Sequence, residues 1–181
     1  MENTGPFRIG EQIVHSYYGI GTITGIVEKK LGGETHRYYR AESLDAVYFV
    51  PLENADNSRV RQLVSLEKLE KMIKTLRAMP VDMNEDYKMR RQRIKTVRAT
   101  GNLLPMAQLL RDMYVRREID KLTDAEKRSM DAIEERVLNE WAAVLELKPG
   151  QVRDEMRRML TSALELAQEP AQDRMEVTVG D

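Results

Sequence analysis

The sequence predicts an α+β protein, with a small, strongly bent antiparallel β-sheet or barrel followed by a compact all-α domain. Three observations predict it. Five short segments rich in β-branched and aromatic residues, each bounded by turn residues, crowd into about 55 residues near the start. From Ser65 onward apolar residues recur at helical spacing instead. And 33% of the 181 residues are charged, which suits exposed helices better than one buried globule.

The expected strands are "EQIVHS", "GTITGIVEKKL", "THRYYRAES", "AVYFVP" and "VRQLV", separated by "YYGIG", "LGGE", "ESLD" and "ENADNS". "KKLGGETH" reads as a hairpin, because Gly32 and Gly33 adopt positive φ at little steric cost. No helix is expected before Ser65. There "SLEKLEKMIKTLRAMP" offers Ser65 as N-cap and places Leu66, Leu69, Ile73 and Leu76 at helical spacing, with Pro80 as stop. The domain boundary is expected between Met79 and Asn84, giving domains over 1–80 and 81–168.

Helices are then expected from about Asn84 to Ala99, closing near Gly101, and from about Leu104 to Asp120. A third starts at "TDAE", where Thr123 and Glu126 match a capping box, and carries Met130, Ile133, Val137, Trp141 and Leu145 on one face. That places Trp141 in the core. "KPG" should break this helix before a last one from about Gln151 to Gln168. The remainder, 169–181, mixes Pro, Gln, charges and Gly and is expected to be disordered. No internal repeat is visible.

Composition excludes most chemistry. The chain has no cysteine and two histidines, His15 and His36, so disulfides, thiolate metal sites and histidine clusters are ruled out and no metal or cofactor is expected. There is no P-loop, GxGxxG or HExxH. "YYGIGTITG" lies in a strand region with no following helix and reads as a barrel turn. His15 has no cysteine or elbow-type serine to activate. Glu134 and Glu135 sit in a charge-rich helix, where solvation explains them. No enzyme constellation is present. "MENTGPFRIGEQ" is not a signal peptide, and no apolar run approaches the roughly 18 residues of a membrane span. A monomeric cytoplasmic protein is the expectation.

One segment departs from a near-neutral background of 29 Lys and Arg against 30 Asp and Glu. From Tyr87 to Arg98, "YKMRRQRIKTVR" holds six basic residues and no acidic one. As a helix it would anchor through Met89, Ile94 and Val97 and spread Lys88, Arg91, Gln92, Lys95 and Arg98 over its outer face. A merely solvated helix face normally mixes signs, since Glu-to-Lys pairs four residues apart are favourable. Here acidic residues are pooled elsewhere, as in "DAIEERVLNE". Such segregation is the footprint of a polyanion site, although a solvated surface helix remains the alternative.

"FRIGEQIVHSYYGIGTITGI", "YFVPLENADNSRVRQLV" and "YKMRRQRIKTVRATGN" together resemble the CarD/CdnL family of bacterial RNA polymerase-binding transcription regulators. The resemblance covers about Phe7 to Leu166. It implies a Tudor-like barrel that binds the polymerase β subunit, and a helical domain that touches promoter DNA at the upstream edge of the transcription bubble and stabilises the open complex. The barrel is shared with the polymerase-binding module of the transcription-repair coupling factor. This chain has no helicase motifs, so it resembles the stand-alone regulators.

Position by position, the resemblance puts the family's tryptophan wedge on Tyr87. Arg90 matches a basic position just after it, with Arg91, Arg93 and Lys95 as supporting DNA contacts. In the barrel, Lys29 matches a basic polymerase contact late in the second strand. Phe49 stands where relatives carry arginine, so that contact would be apolar. Tyr48, Phe49, Val50 and Pro51 could also add a strand to the partner through backbone groups, or could be ordinary barrel core. The alternative function is a small-barrel adaptor whose helical domain never touches DNA.

Overall fold

The structure, a computed structural model, describes residues 5–54 and 59–169; the expected tail beyond Glu169 lies outside the described residues. Two compact units form. One holds the residues up to Val64 with Ala99–Gly101, the other Ser65–Arg98 and the residues from Asn102 onward.

The first unit is a five-stranded antiparallel sheet: β1 (Gln12–His15), β2 (Gly19–Leu31), β3 (Glu34–Glu42), β4 (Val47–Pro51) and β5 (Val60–Gln62), in the order β4-β3-β2-β1-β5. The 13-residue β2 serves both neighbours. It pairs with β1 near its start and with β3 along its length, and the register shifts between Ile23 and Gly25. That irregularity lets one long strand bend around a small core, as β-bulges do. The β2–β3 turn uses Gly32 and Gly33 at φ 61° and 89°, as the hairpin signal predicts.

The core comprises Phe7, Ile13, Ile23, Tyr39, Ala41, Tyr48, Val50, Leu52 and Val60. Its two tyrosines are seated differently. The Tyr39 hydroxyl accepts from the Phe7 amide at 3.2 Å and donates to the Phe7 carbonyl at 2.9 Å. The Tyr48 hydroxyl has no hydrogen-bond partner among the described residues; burial, with a smaller effect from Tyr18, pushes its pKa up to about 12. A side chain at position 21 would collide with it, so Gly21 makes its room.

The second unit contains α1 (Leu66–Leu76), α2 (Tyr87–Thr100), α3 (Leu103–Ile119), α4 (Asp124–Leu145) and α5 (Pro149–Gln168). The predicted caps are present: Ser65 accepts from the Lys68 amide, and Thr123 with Glu126 closes a capping box. Trp141 is buried, as the apolar stripe of α4 predicts, but Leu145 at its end is exposed. "KPG" does not separate α4 from α5. The break comes earlier, at Glu146 with φ 53°, and Pro149 occupies the first turn of α5, where its missing N–H costs nothing.

The division of units also differs from the expected 80/81 boundary. Leu69, Met72 and Leu76 of α1 are buried, α1 packs on α3, and Arg111 of α3 donates to the Thr75 carbonyl at 3.2 Å. An amphipathic helix must bury its apolar stripe somewhere, and α1 does so in the helical unit. Pro80 ends the helix without ending the unit.

Helix α3 is central, packed against α1, α4 and α5. Helix α2 stands outside this packing. Only Arg90 and Ile94 among its residues are buried.

Candidate functional site

On α2 the inward row is Arg90, Arg93, Ile94 and Val97, spaced i, i+3, i+4, i+7. Two of the candidate DNA-binding arginines therefore point inward. Arg90 is 6% exposed; its Nε donates to Glu126 at 2.7 Å, and one terminal nitrogen reaches the carbonyls of Asn84 and Glu85 at 3.0 and 2.6 Å. Arg90 is thus turned into the interior, with its Nε and one terminal nitrogen engaged there, and away from the outer face on which a phosphate contact was expected. Arg93 is half-buried and paired with Asp112, a fully buried carboxylate on α3 that also accepts from Arg111 and from the Val81 amide. Arg93 is thus largely a link between α2 and α3.

What α2 presents outward is Tyr87, Lys88, Met89, Arg91, Gln92, Lys95 and Arg98. Lys88, Arg91 and Lys95 have no ion-pair partner among the described residues. Met89, expected as an anchor, is 56% exposed instead, because the arginines take the inward positions. Arg98 extends the positive surface toward α4, where it lies 3.5 Å from the Ser129 hydroxyl. Burial, and then the charge of Arg98, lowers the pKa of Arg136 on α4.

Tyr87, 40% exposed, heads the helix. The preceding turn is fixed by side chains: Asn84 accepts from the Asp86 amide at 2.7 Å, and Asp86 accepts from the Lys88 amide at 2.8 Å. Glu126 ties this corner to α4. Burial alone would raise its pKa, but hydrogen bonds from Arg90 and Thr123 and the Arg90 charge together lower it.

In the sheet unit, β4 is an edge strand that pairs with β3. Its side chains alternate: Tyr48 and Val50 go into the core, and Val47, Phe49 and Pro51 face out. The side chains of Tyr48 and Val50 are therefore barrel core, which leaves only the backbone of these two residues to a partner strand. Phe49, Pro51 and Lys29 hold accessible positions. The Lys29 ammonium sits 3.0 Å from the Phe49 ring centroid and 6.0 Å from that of Tyr38, an arrangement in which a cation rests on an aromatic face. Tyr38, which the sequence did not single out, joins this patch. Its signal is positional, since it lies opposite Pro51 in the β3–β4 ladder.

Among the described residues no group of three His, Cys, Asp or Glu could hold a metal, and no helix is long and apolar enough to cross a membrane.

Residues 7–64 match the family model described as the CarD-like/TRCF RID domain, and residues 71–157 match the CarD C-terminal domain. The first range ends where the sheet unit's main segment ends, at Val64, and the second begins within α1 and, apart from Ala99–Gly101, lies in the helical unit. Among curated proteins, the chain is similar to "Putative transcription factor YdeB" of Bacillus subtilis (strain 168). The two are 24% identical over 153 residues, which cover 81% of this chain and 97% of that protein. With an antiparallel sheet unit, a helical unit and both matches in the same order, the chain belongs to the CarD/CdnL family of transcription regulators.

Proposed function

We propose that the sheet unit binds the β subunit of RNA polymerase and that the helical unit contacts promoter DNA at the upstream edge of the bubble, stabilising the open complex in the cytoplasm. The observation that carries the DNA half is the outward face of α2. Lys88, Arg91 and Lys95 point out with no carboxylate on the helix, and Tyr87 stands exposed at its head. Phosphate contacts from such a row fix position without reading sequence. Three of them give little affinity at physiological salt. Anchoring to polymerase makes the DNA contact intramolecular and removes the need for more. A chain with net charge −1 therefore needs positive charge only locally.

The polymerase half rests on the Lys29–Phe49–Tyr38 patch beside the free edge of β4. An edge strand offers backbone groups to a partner strand, and the flanking side chains supply specificity. Replacing Phe49 with aspartate puts a charge in that patch while leaving the core side chains of β4 in place. The full-length Phe49→Asp protein should fold normally by circular dichroism and lose binding to purified β subunit by about tenfold or more, since charged-residue mismatches at a contact cost several kcal/mol. Unchanged binding would remove β4 from the interface.

The phosphate contacts have a separate signature. Replacing Arg91 and Lys95 with alanine should flatten the salt dependence of protein retention on a polymerase–promoter complex. The slope of log affinity against log salt falls by about 0.9 for each phosphate that is no longer neutralised. The weakening should be similar across promoters. An unchanged slope would place these two side chains away from the backbone.

A further inference from the structure

We propose that Arg90 is a positioning residue for Tyr87. Its guanidinium locks the head of α2 to the preceding turn and to α4, and so fixes the tyrosine ring before it meets DNA. The inference rests on the DNA reading of α2 given above.

Helix α2 lacks the broad apolar packing that holds α1, α3, α4 and α5 together. Its inward row holds one buried apolar side chain, Ile94, and two arginines, of which Arg90 is the more deeply buried. Three hydrogen bonds fan out from it, to the Glu126 carboxylate, the Asn84 carbonyl and the Glu85 carbonyl. They join three segments that are far apart in sequence or differ in structure: the turn before α2, α2 itself and the first turn of α4. Glu126 is in turn fixed by the Thr123 amide and hydroxyl at 2.8 and 2.9 Å. Tyr87 lies three residues before Arg90, one helical turn away, and its ring centroid is 5.8 Å from the guanidinium carbon. The ring therefore has an immobilised cation at its inner side and solvent at its outer side.

A buried ion pair is a weak source of stability, because apolar side chains of similar volume do as well; what it supplies is defined geometry. A planar, forked guanidinium meets three acceptors at once, whereas a lysine ammonium on a flexible stem is a single point. An exposed aromatic side chain held in one orientation loses less freedom on binding than a mobile one.

Two measurements test this on the full-length protein. The first is fluorine NMR with 3-fluorotyrosine, the Tyr87 line being assigned by Tyr87→Phe. Arg90→Lys, which keeps the charge beside Glu126, should shift or broaden that line. Ser65→Ala, which removes the N-cap of α1 and touches none of the Arg90 partners, should destabilise the domain without moving it. The second is open-complex lifetime after competitor challenge. Arg90→Lys should shorten the lifetime several-fold when Tyr87 is present and leave it unchanged in a Tyr87→Ala background. An unmoved Tyr87 line in Arg90→Lys, or the same proportional loss of lifetime in both backgrounds, overturns the proposal. If Tyr87→Ala alone leaves the lifetime unaltered, the DNA reading falls, and the fluorine line by itself decides whether Arg90 fixes the ring.

Discussion

Arg90→Met should lower the unfolding free energy of the helical unit by about 3–5 kcal/mol at neutral pH, the cost of stripping one partner from a buried ion pair. The reason lies with Glu126, which is 2% exposed and would keep its charge with only Thr123 to satisfy it. A further change, Glu126→Gln, should restore part of the loss, because it removes the stranded charge while a side-chain oxygen can still close the capping box.

The pH dependence has a definite sign. In the wild type the Glu126 carboxyl lies below its ordinary value in the folded state. Its contribution is therefore present above the unfolded pKa, about 4.3 for glutamate, and is lost as pH falls through the lower folded value. In Arg90→Met burial is no longer opposed by the arginine, so the carboxyl rises. The gap in stability between wild type and variant should be widest at neutral pH and should narrow as pH falls through the lowered folded value of wild-type Glu126, below which it is protonated in both. Denaturant unfolding at several pH values checks this. A gap independent of pH would mean that Arg90 acts by packing alone.

Tyr87→Ala should shorten the lifetime of the polymerase–promoter open complex several-fold while β-subunit binding stays intact. Stacking of an aromatic side chain on a base is worth about 1–3 kcal/mol by alanine substitution, and about 1.4 kcal/mol is a factor of ten. Tyrosine, smaller than the tryptophan of the family pattern, belongs at the lower end. Tyr87→Trp should lengthen the lifetime beyond that of the wild type. The structural alternative, in which Tyr87 only covers the guanidinium of Arg90, predicts a different pair of results. Tyr87→Ala would then lower the melting temperature, and Tyr87→Trp would bring no gain. The 40% exposure of the ring leaves it a free face, so a modest stability change is expected under either reading.

The strands were legible in the sequence because turn chemistry marks their ends. Gly32 and Gly33 announce the hairpin, the observed β4 falls inside its expected segment, and β3 starts one residue before its own, at Glu34. The faces were less legible. "YFV" is a continuous apolar run, so composition could not say that Phe49 faces out while Tyr48 and Val50 face in; pairing of Tyr39 with Val50 and of Ala41 with Tyr48 decides it. The same holds on α2. A basic run looks like an outer face, but Arg90 and Arg93 find carboxylates 36 and 19 residues away, on other helices. Pairing at that distance leaves no local mark, so the arginines displaced Met89 from the expected anchor position. The assignment of α1 turned on a similar point. Pro80 signals where the helix stops, but only packing on α3 shows which unit it belongs to.

Open-complex decay in a purified transcription system tests the central claim most directly. Polymerase and promoter are incubated with wild-type protein, with Phe49→Asp, with Tyr87→Ala or with none, and then challenged with competitor. The account predicts that wild-type protein lengthens the lifetime, that Phe49→Asp abolishes the effect by losing polymerase, and that Tyr87→Ala weakens it several-fold while still binding polymerase. A wild-type protein that binds the β subunit but leaves the lifetime unchanged would contradict the account and favour an adaptor whose helical unit never meets DNA.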